Sequence, residues 1–228
     1  MKLQLLVALG IAVLVSQVSA QEKTALKNQK EKMSYIIGMD IGNNLKKQSI
    51  DIDPNILAKG IKDALTGGKP LLTEQEIHET LAAFQKEMVV KQEEVAKKNK
   101  KEGETFLAEN KKKEGVKTLP SGLQYKVIKA GIGKKPKLTD TVTTHYRGTL
   151  IDGTEFDSSY KRGQPATFQV SGVISGWTEA LQLMEEGARW QLFIPPNLAY
   201  GERGAGGVIG PGATLIFEIE LISIQEKK

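Results

Sequence analysis

The residue types that most often carry chemistry are few and scattered in this sequence. Its two histidines, His78 and His145, are far apart, and no cysteine occurs. A metal site would therefore need an unusual set of carboxylates, and neither disulfides nor cysteine redox chemistry are available. We predict that the protein uses neither a metal nor a cofactor.

Two further motifs resemble functional loops but are incomplete. Asp152, Glu155 and Asp157 lie close together but lack the Asp-x-Asp-x-Asp-Gly spacing of a calcium-binding loop. The glycine-rich stretch 201–207 is not followed by the Gly-Lys-Ser/Thr of a phosphate-binding loop, and a mobile hairpin flap explains it better. No combination of Ser, His and Asp suggests a nucleophilic triad. The sequence therefore offers no covalent or phosphate chemistry.

Aromatic and apolar residues, by contrast, are concentrated between Val142 and Ile224. They fall in five blocks: VTTHYRG (142–148), GTEFDSS (153–159), VISGW (173–177), IPPNLAYG (194–201) and ATLIFEIEL (213–221). In this order and spacing the blocks closely resemble the FKBP family of peptidyl-prolyl cis-trans isomerases (rotamases). With the helical arm that precedes them they resemble its macrophage-infectivity-potentiator (Mip-like) branch. The resemblance implies an enzyme that accelerates rotation of X–Pro bonds in exported proteins.

The resemblance carries over to this sequence residue by residue. It implies three catalytic residues: Asp157, Tyr200 and Tyr146. It implies eight substrate-binding residues: Phe156, Arg162, Val173, Ile174, Trp177, Val208, Ile209 and Phe217. The family's roles would place Trp177 under the proline ring, Asp157 beside the twisted bond and the Tyr200 hydroxyl on the substrate carbonyl. The backbone amide of Ile174 would bind a peptide carbonyl, and Arg162 would pair with Asp157 or orient Tyr146.

The sequence departs from the family pattern at two positions of the expected pocket. Ala166 stands where many relatives carry an aromatic wall, and Ala205 stands where some carry an aromatic residue or a histidine on the flap. A shallower wall predicts weak binding of macrolides such as tacrolimus and rapamycin. The reaction class that the resemblance implies is unchanged.

Hydrophobic periodicity indicates the elements that hold these residues. The pattern has a period of two in 142–148 and in 214–221, which predicts two strands. A helical spacing before Gly187 predicts one short helix that carries Trp177, Ala180, Leu181 and Met184. We therefore expect an α+β chain with its sheet domain in residues 116–228. The resemblance implies a half-open antiparallel sheet of five or six strands wrapped over this helix, with an apolar cleft between them.

The segment 21–73 is helical in pattern and forms the first part of an arm. An apolar stripe at intervals of four residues predicts one amphipathic helix: Met33, Ile37, Ile41 and Leu45. A second helix is predicted over 54–66, because Asp53 and Pro54 are typical of a helix start and Gly67 of a helix end.

A long connecting helix is predicted over 74–115. Thr73 and Glu76 form a capping box at its start, and the apolar stripe fades after Met88. Charged helix-forming residues fill the remainder, with Gly103 as the weak position. We interpret this charged run as a solvated helix face, and we expect the helix to hold two domains apart.

The single apolar stripe of the arm predicts a homodimer through the N-terminal helices. Three helices with one stripe each bury little core alone, so a second copy is an economical cover. Gly38 and Gly42 would let another helix backbone approach closely, although a plain helix also tolerates two glycines. Mip-like relatives are dimers through the corresponding arm.

Residues 1–20 have the pattern of a secretory signal peptide. Lys2 precedes an apolar run from Leu3 to Val15, and residues 18–20 match a small-x-small cleavage site. An uncleaved anchor would need about 20 apolar residues. We expect a mature chain without a transmembrane segment, secreted across the inner membrane into the periplasm, where it is free or associated with the outer membrane or cell surface.

The net charge of +5 does not indicate a nucleic-acid partner, because aromatic residues are not interleaved with the lysine runs. We predict proline-containing polypeptides as clients of a peptidyl-prolyl cis-trans isomerase with an added folding-helper activity through its arm. A non-catalytic periplasmic chaperone or surface-binding module would use the same pocket and arm. A helical spacer with an adhesive domain would explain the arm but not the pocket.

Overall fold

A computed structural model of the chain describes residues 26–48 and 50–225. The expected signal peptide, residues 1–20, lies outside these described residues. The chain divides into two units at the end of its first helix, residues 1–46 and 47–228. Among the described residues, the first unit is this helix, and the second unit contains the other helices and the sheet.

The described residues before the sheet form three helices: α1 (Gln29–Lys47), α2 (Pro54–Thr66) and α3 (Glu74–Asn110). α2 has the predicted bounds. It begins at Pro54 because the Asp53 side chain accepts hydrogen bonds from the backbone N–H groups of Asn55 and Ile56. It ends before Gly67, whose φ of 69° is the left-handed conformation that glycine adopts at little cost.

The apolar faces of α1 and α2 are exposed when only the described residues of one chain are considered. Neither helix contains a buried residue. Met33 and Ile37 of α1 are 50% and 54% exposed, and Ile56 of α2 is 63% exposed. Packing of an apolar face is what normally stabilises helices of this length. These faces therefore need a packing partner, which the described part of one chain does not supply.

The capping box predicted for α3 is present. Thr73 Oγ1 accepts a hydrogen bond from the Glu76 backbone N–H at 3.2 Å, and the Glu76 carboxylate accepts one from the Thr73 N–H at 2.8 Å. Both bonds satisfy N–H groups that a helix start leaves unpaired. The helix continues for 37 residues to Asn110. None of the helices in the described ranges is both long and apolar enough to cross a membrane.

Seven antiparallel strands form one sheet in the order β1-β2-β6-β7-β3-β4, and β5 also pairs with β3. The strands are β1 (Val116–Thr118), β2 (Gln124–Lys129), β3 (Thr141–Leu150), β4 (Glu155–Ser158), β5 (Ala166–Gln169), β6 (Arg189–Ile194) and β7 (Leu215–Gln225). The count exceeds the expected five or six, in part because β3 pairs with β5 over 141–144 and with β4 over 147–149.

The core lies between one face of this sheet and the short helix α4 (Ser175–Leu181). β3 and β7 pair over their whole length. Each strand buries alternate residues, among them Tyr146 and Phe217, as the period of two predicted. α4 contributes Trp177, Ala180 and Leu181 to the core. The α+β prediction of an antiparallel sheet wrapped over one short helix is therefore confirmed.

The C-terminal part of α3 packs against this sheet. The Asn110 side-chain amide donates a hydrogen bond to the side-chain oxygen of Gln124 on β2 at 3.0 Å, and the Gln124 amide donates to the Leu107 carbonyl at 2.9 Å. The rings of Phe106 and Phe193 lie 5.9 Å apart. The charged residues of this part of α3 remain exposed. α3 thus has the predicted solvated face and, on its other side, a buried line of contact with the sheet, which we name the seam.

Gly103 permits the close approach of α3. It is buried, and a Cβ atom at this position would lie 2.2 Å from the Oγ1 atom of Thr214 and 3.1 Å from its Cβ atom. Thr214 is 2% exposed, and its hydroxyl has no hydrogen-bond partner among the described residues. Glycine inside a helix costs about 1 kcal/mol relative to alanine. Packing therefore explains a residue that helix propensity disfavours.

We predict that Gly103→Ala destabilises the sheet domain although it improves helix propensity. The new methyl group would overlap the Thr214 hydroxyl, and overpacking of this kind costs about 1–3 kcal/mol. Thr214→Ala alone should cost little, because loss of a buried methyl group is offset by removal of a hydroxyl without a partner among the described residues, and it should restore part of the loss in the double variant. Both tryptophans lie in the sheet domain, so denaturant unfolding followed by tryptophan fluorescence measures the effect.

A Gly103→Ala protein that unfolds at the wild-type midpoint or above would contradict the close contact between α3 and Thr214. A double variant that is no more stable than Gly103→Ala alone would show that the loss arises elsewhere.

Candidate active site

A cavity of about 610 Å³ opens beside α4 and the adjoining face of the sheet. It is lined by Tyr146, Phe156, Asp157, Phe168, Gly172, Val173, Ile174, Trp177, Tyr200, Ala205, Gly206, Val208, Ile209 and Phe217. Ten of the eleven site residues predicted from the sequence are in this lining. The eleventh, Arg162, contacts two of them through its guanidinium. The structure therefore brings the whole predicted set to one place.

Four aromatic residues, which we name the aromatic frame, form the floor of the cavity and the rings around it. Trp177 of α4 is 4% exposed, and three rings pack against it edge to face. Their centroids lie 5.2 Å (Tyr146), 5.7 Å (Phe168) and 5.1 Å (Phe217) from that of Trp177. Edge-to-face pairs stabilise aromatic packing beyond the burial of area. Because the three rings come from β3, β5 and β7, the sheet fixes the plane of the indole.

Gly148 on β3 makes room for one wall of the cavity. A Cβ atom at this position would lie 2.6 Å from the Phe156 ring and 2.7 Å from the Phe217 ring. These two rings are themselves 5.4 Å apart and nearly perpendicular. Gly148 and Tyr146 face the same side of the sheet because side chains alternate along a strand. Glycine at 148 is therefore a requirement of the wall.

Among the described residues, Asp157 is the one carboxylate that borders the cavity, and two donors hold it. The Tyr146 hydroxyl donates to Asp157 Oδ2 at 2.5 Å, and Arg162 Nη1 donates to Asp157 Oδ1. Arg162 Nη2 donates to the Tyr146 hydroxyl at 2.7 Å, and the guanidinium lies 5.3 Å from the centre of the tyrosine ring. Each of the three side chains contacts the other two, so each restrains the position of the others.

This triangle keeps Asp157 ionised. Burial acts to raise the pKa of Asp157, but the hydrogen bonds from Tyr146 and Arg162 outweigh it and hold the pKa below its ordinary value. Burial, followed by the hydrogen bond to Asp157, raises the pKa of Tyr146 above its ordinary value. The site therefore presents a fixed negative charge beside a neutral phenol at neutral pH.

Two donors at the rim are available to a ligand. Tyr200 is 39% exposed, and its hydroxyl makes no hydrogen bond within the described part of the chain. The Ile174 carbonyl accepts hydrogen bonds from the N–H groups of Trp177 and Thr178. These are the first hydrogen bonds of α4. No acceptor for the N–H of Ile174 itself is found among residues 26–48 and 50–225. A peptide carbonyl could satisfy either donor.

A hairpin loop closes one side of the cavity. Ala205 and Ile209 exchange two backbone hydrogen bonds of 2.8 and 3.0 Å, and we name residues 204–210 the flap. Gly204, Gly206 and Gly207 all have positive φ, which explains the glycine-rich sequence of this tight loop. The flap places Val208 and Ile209 against the cavity, and Ile209 is 8% exposed.

Phe168 is a cavity residue that the sequence motifs did not identify. It follows Ala166 by two positions on β5, so both residues face the same side of the sheet. Ala166 does not line the cavity, whereas the Phe168 ring packs against Trp177 and lies 5.8 Å from Tyr146. An aromatic wall therefore stands on this side despite the alanine. The period of two along β5 was the signal that could have revealed it.

The lining contains no serine, cysteine, lysine or histidine, so the cavity offers no strong nucleophile. No group of three or more metal-binding side chains is present in the described ranges. The apolar floor and walls can remove a ring and the adjoining backbone from water. Asp157 and Tyr200 lie where they can meet a polarised amide. This chemistry favours binding and distorting a peptide over cleaving it.

Two family profiles match the chain. One is described as the domain amino terminal to FKBP-type peptidyl-prolyl isomerase and matches residues 30–127. The other is described as FKBP-type peptidyl-prolyl cis-trans isomerase and matches residues 133–222. The second profile includes every cavity residue.

Known proteins are similar to this chain over its full length. Outer membrane protein MIP of Legionella longbeachae is 51% identical over an alignment of 232 positions that covers 99% of each chain. Peptidyl-prolyl cis-trans isomerase Mip of Coxiella burnetii is 47% identical over an alignment of 231 positions that covers 100% of each chain. Among solved structures, FkpA from Escherichia coli has a TM-score of 0.63 at 42% identity, and the match covers 88% of this chain and 99% of that one.

Proposed function

Since the chain belongs to the family of FKBP-type peptidyl-prolyl cis-trans isomerases, in its Mip-like branch, we propose that it rotates X–Pro bonds in the cavity above Trp177. The isomerase activity follows from the family. The observation that supports this location is the aromatic frame: a buried tryptophan, fixed by three rings, lies at the bottom of an open apolar cavity. A proline ring is the side chain that such a floor suits.

The apolar cavity explains how rotation is accelerated without a covalent step. The barrier of about 18–20 kcal/mol arises because the twisted amide loses its resonance. Water stabilises the planar, charge-separated amide more than the twisted one. Transfer of the bond into the aromatic frame withdraws this solvation, and a cavity shaped for the twisted bond binds the transition state more tightly than either isomer.

We assign the polar groups to the ends of the rotating bond. Asp157, fixed by Tyr146 and Arg162, borders the bond and interacts with the twisted amide. The Tyr200 hydroxyl and the Ile174 N–H bind carbonyl groups of the peptide. Apolar contacts to the flanking residues come from the other substrate-binding side chains: Phe156, Val173, Val208, Ile209 and Phe217.

Proline-containing polypeptides are the proposed clients, and weak macrolide binding is proposed because Ala205 places no aromatic ring on the flap side of the cavity. The non-catalytic interpretation is not favoured, since relatives that match most or all of the chain carry the isomerase name.

We propose export into the cell envelope, in agreement with the leader pattern of residues 1–20 and with the name of the Legionella relative.

We propose that two copies associate through the arm. The stripe of α1 and the apolar face of α2 have no cover within the described part of one chain, and an isologous dimer would cover both copies at once. Two linked sites would also raise the effective concentration of a client that carries several prolines. This avidity is the proposed basis of a folding-helper activity.

Asp157→Ala and Tyr200→Phe should lower kcat/KM for a Leu-Pro peptide. Their groups interact with the twisted bond more than with the ground state, so turnover should fall more than inhibitor affinity. For Asp157→Ala we expect a loss of about tenfold, which corresponds to about 1.4 kcal/mol. Trp177→Ala should instead weaken peptide binding. Exchange spectroscopy of the cis and trans proline signals measures these rates.

Asp152→Ala and Tyr160→Phe are the matched controls, because neither side chain lines the cavity. The Asp157 and Tyr200 variants should remain folded by circular dichroism. If both isomerise the peptide at the wild-type rate, the proposed roles are wrong.

Glutamate at both Ile37 and Ile41 should convert the dimer to monomers, because burying charge without a partner in the proposed interface is strongly unfavourable. Analytical ultracentrifugation of the full chain measures this change, and peptide isomerisation should persist. Glutamate at Ile36 and Asn43 adds the same charge on a neighbouring face of α1 and should leave the dimer intact. A wild-type protein that sediments as a monomer at micromolar concentration would contradict the proposed assembly.

A further inference from the structure

α3 contacts the chain segment that immediately follows the flap. The Asn99 side-chain amide donates a hydrogen bond to the Pro211 carbonyl at 2.8 Å, and Asn99 is partly buried. Gly210 and Gly212 flank this proline. The helix therefore holds the flap at its C-terminal base, one residue beyond the flap itself.

The packing at this contact leaves no room for side chains. A Cβ atom on Gly212 would lie 2.8 Å from the Ala96 carbonyl oxygen, and one on Gly210 would lie 3.0 Å from the Asn99 amide nitrogen and 3.5 Å from Val95. The backbone of 210–212 thus lies directly on one turn of α3. A hydrogen bond at such a close approach fixes both the distance and the rotation of the segment.

The same segment is joined to both sides of the flap. The Gly212 N–H donates to the Gly201 carbonyl at 2.9 Å, which closes the base of the loop directly after Tyr200. Two residues before Pro211, Ile209 is paired with Ala205. A shift of Pro211 along α3 would therefore move Ile209 and Tyr200 relative to Trp177.

We propose that Asn99 is a positioning residue of the isomerase site, which holds the flap through the Pro211 carbonyl. This inference rests on the proposed function, in which Val208, Ile209 and Tyr200 contact the peptide. Without the Asn99 bond, the flap samples other positions, and only the fraction of molecules with a correctly placed flap binds substrate. Apparent affinity falls by that fraction, so KM rises while kcat changes little.

Asn110 supplies a matched control on the same helix. It also anchors α3 to the sheet domain, but through Gln124 on β2, which does not line the cavity. Asn110→Ala therefore weakens the docking of α3 without touching the flap. A purely structural role for α3 would make the Asn99 and Asn110 variants alike.

The test compares Asn99→Ala, Asn99→Asp and Asn110→Ala in the full chain. Asn99→Asp nearly preserves the size of the side chain but replaces the donor amide with a carboxylate that repels the Pro211 carbonyl. Both Asn99 variants should raise KM for a Leu-Pro peptide about fivefold at nearly constant kcat. The amide hydrogens of Ile209 and Gly212 should exchange about fivefold faster, which is the factor that one hydrogen bond of typical strength supplies.

Asn110→Ala should lower the unfolding midpoint and leave KM and these two exchange rates unchanged. The proposal is overturned if both Asn99 variants keep wild-type KM and exchange rates, or if Asn110→Ala changes them equally. A wild-type chain that does not isomerise the peptide would instead refute the proposed function, and the two exchange rates would still decide whether Asn99 positions the flap.

Discussion

The edge-to-face packing of Trp177 against three rings is the interaction on which the rest of the site depends. α4 has only seven residues and would not hold an indole in one orientation alone. The rings of Tyr146, Phe168 and Phe217 do so, and each belongs to a different strand. The pairing of β3 with both β5 and β7 is therefore a requirement of the pocket. Gly148 serves the same purpose, since a side chain there would displace the wall.

At one edge of this apolar site, three polar side chains, Asp157, Tyr146 and Arg162, restrain one another. Asp157 would be costly to keep ionised near the aromatic frame without its two donors. Tyr146 belongs to both systems, because its ring packs on Trp177 while its hydroxyl binds Asp157. The orientation of the carboxylate is thus coupled to the orientation of the floor. A catalyst that works by shape and desolvation depends on this kind of preorganisation.

Local signals in the sequence predicted the elements well. Asp53 and Gly67 bound α2 as expected, and the alternation in β3 and β7 predicted which face is buried. Family motifs predicted eleven residues that the fold brings together. Phe168 was not predicted because it lies outside the family motifs, two residues after Ala166 on the same face of β5. The seven-strand count could not be read from strands as short as β1 and β5.

The docking of α3 is the part that periodicity could not predict. Besides the Phe106 ring, its seam uses two asparagines, Asn99 and Asn110, and one glycine, Gly103, which do not form an apolar stripe. Asparagine and glycine have low helix propensity, so their pattern alone indicates a locally less stable part of a solvated helix. Each is explained by a partner that is distant in sequence: Pro211 for Asn99, Gln124 for Asn110 and Thr214 for Gly103. Contacts of this kind depend on close backbone approach, which the hydrophobic pattern of a sequence does not reveal.

The proposed rotation of X–Pro bonds above Trp177 can be measured directly, because the chain contains only two tryptophans. Trp190 is stacked on Tyr125 and does not line the cavity. The full chain labelled with ¹⁵N-tryptophan, titrated with a Leu-Pro peptide, should show a shift of the Trp177 indole signal alone, together with accelerated exchange between the cis and trans signals of the peptide. Accelerated exchange with an unmoved Trp177 signal would show that rotation occurs elsewhere, and no acceleration at all would show that the chain is not an isomerase.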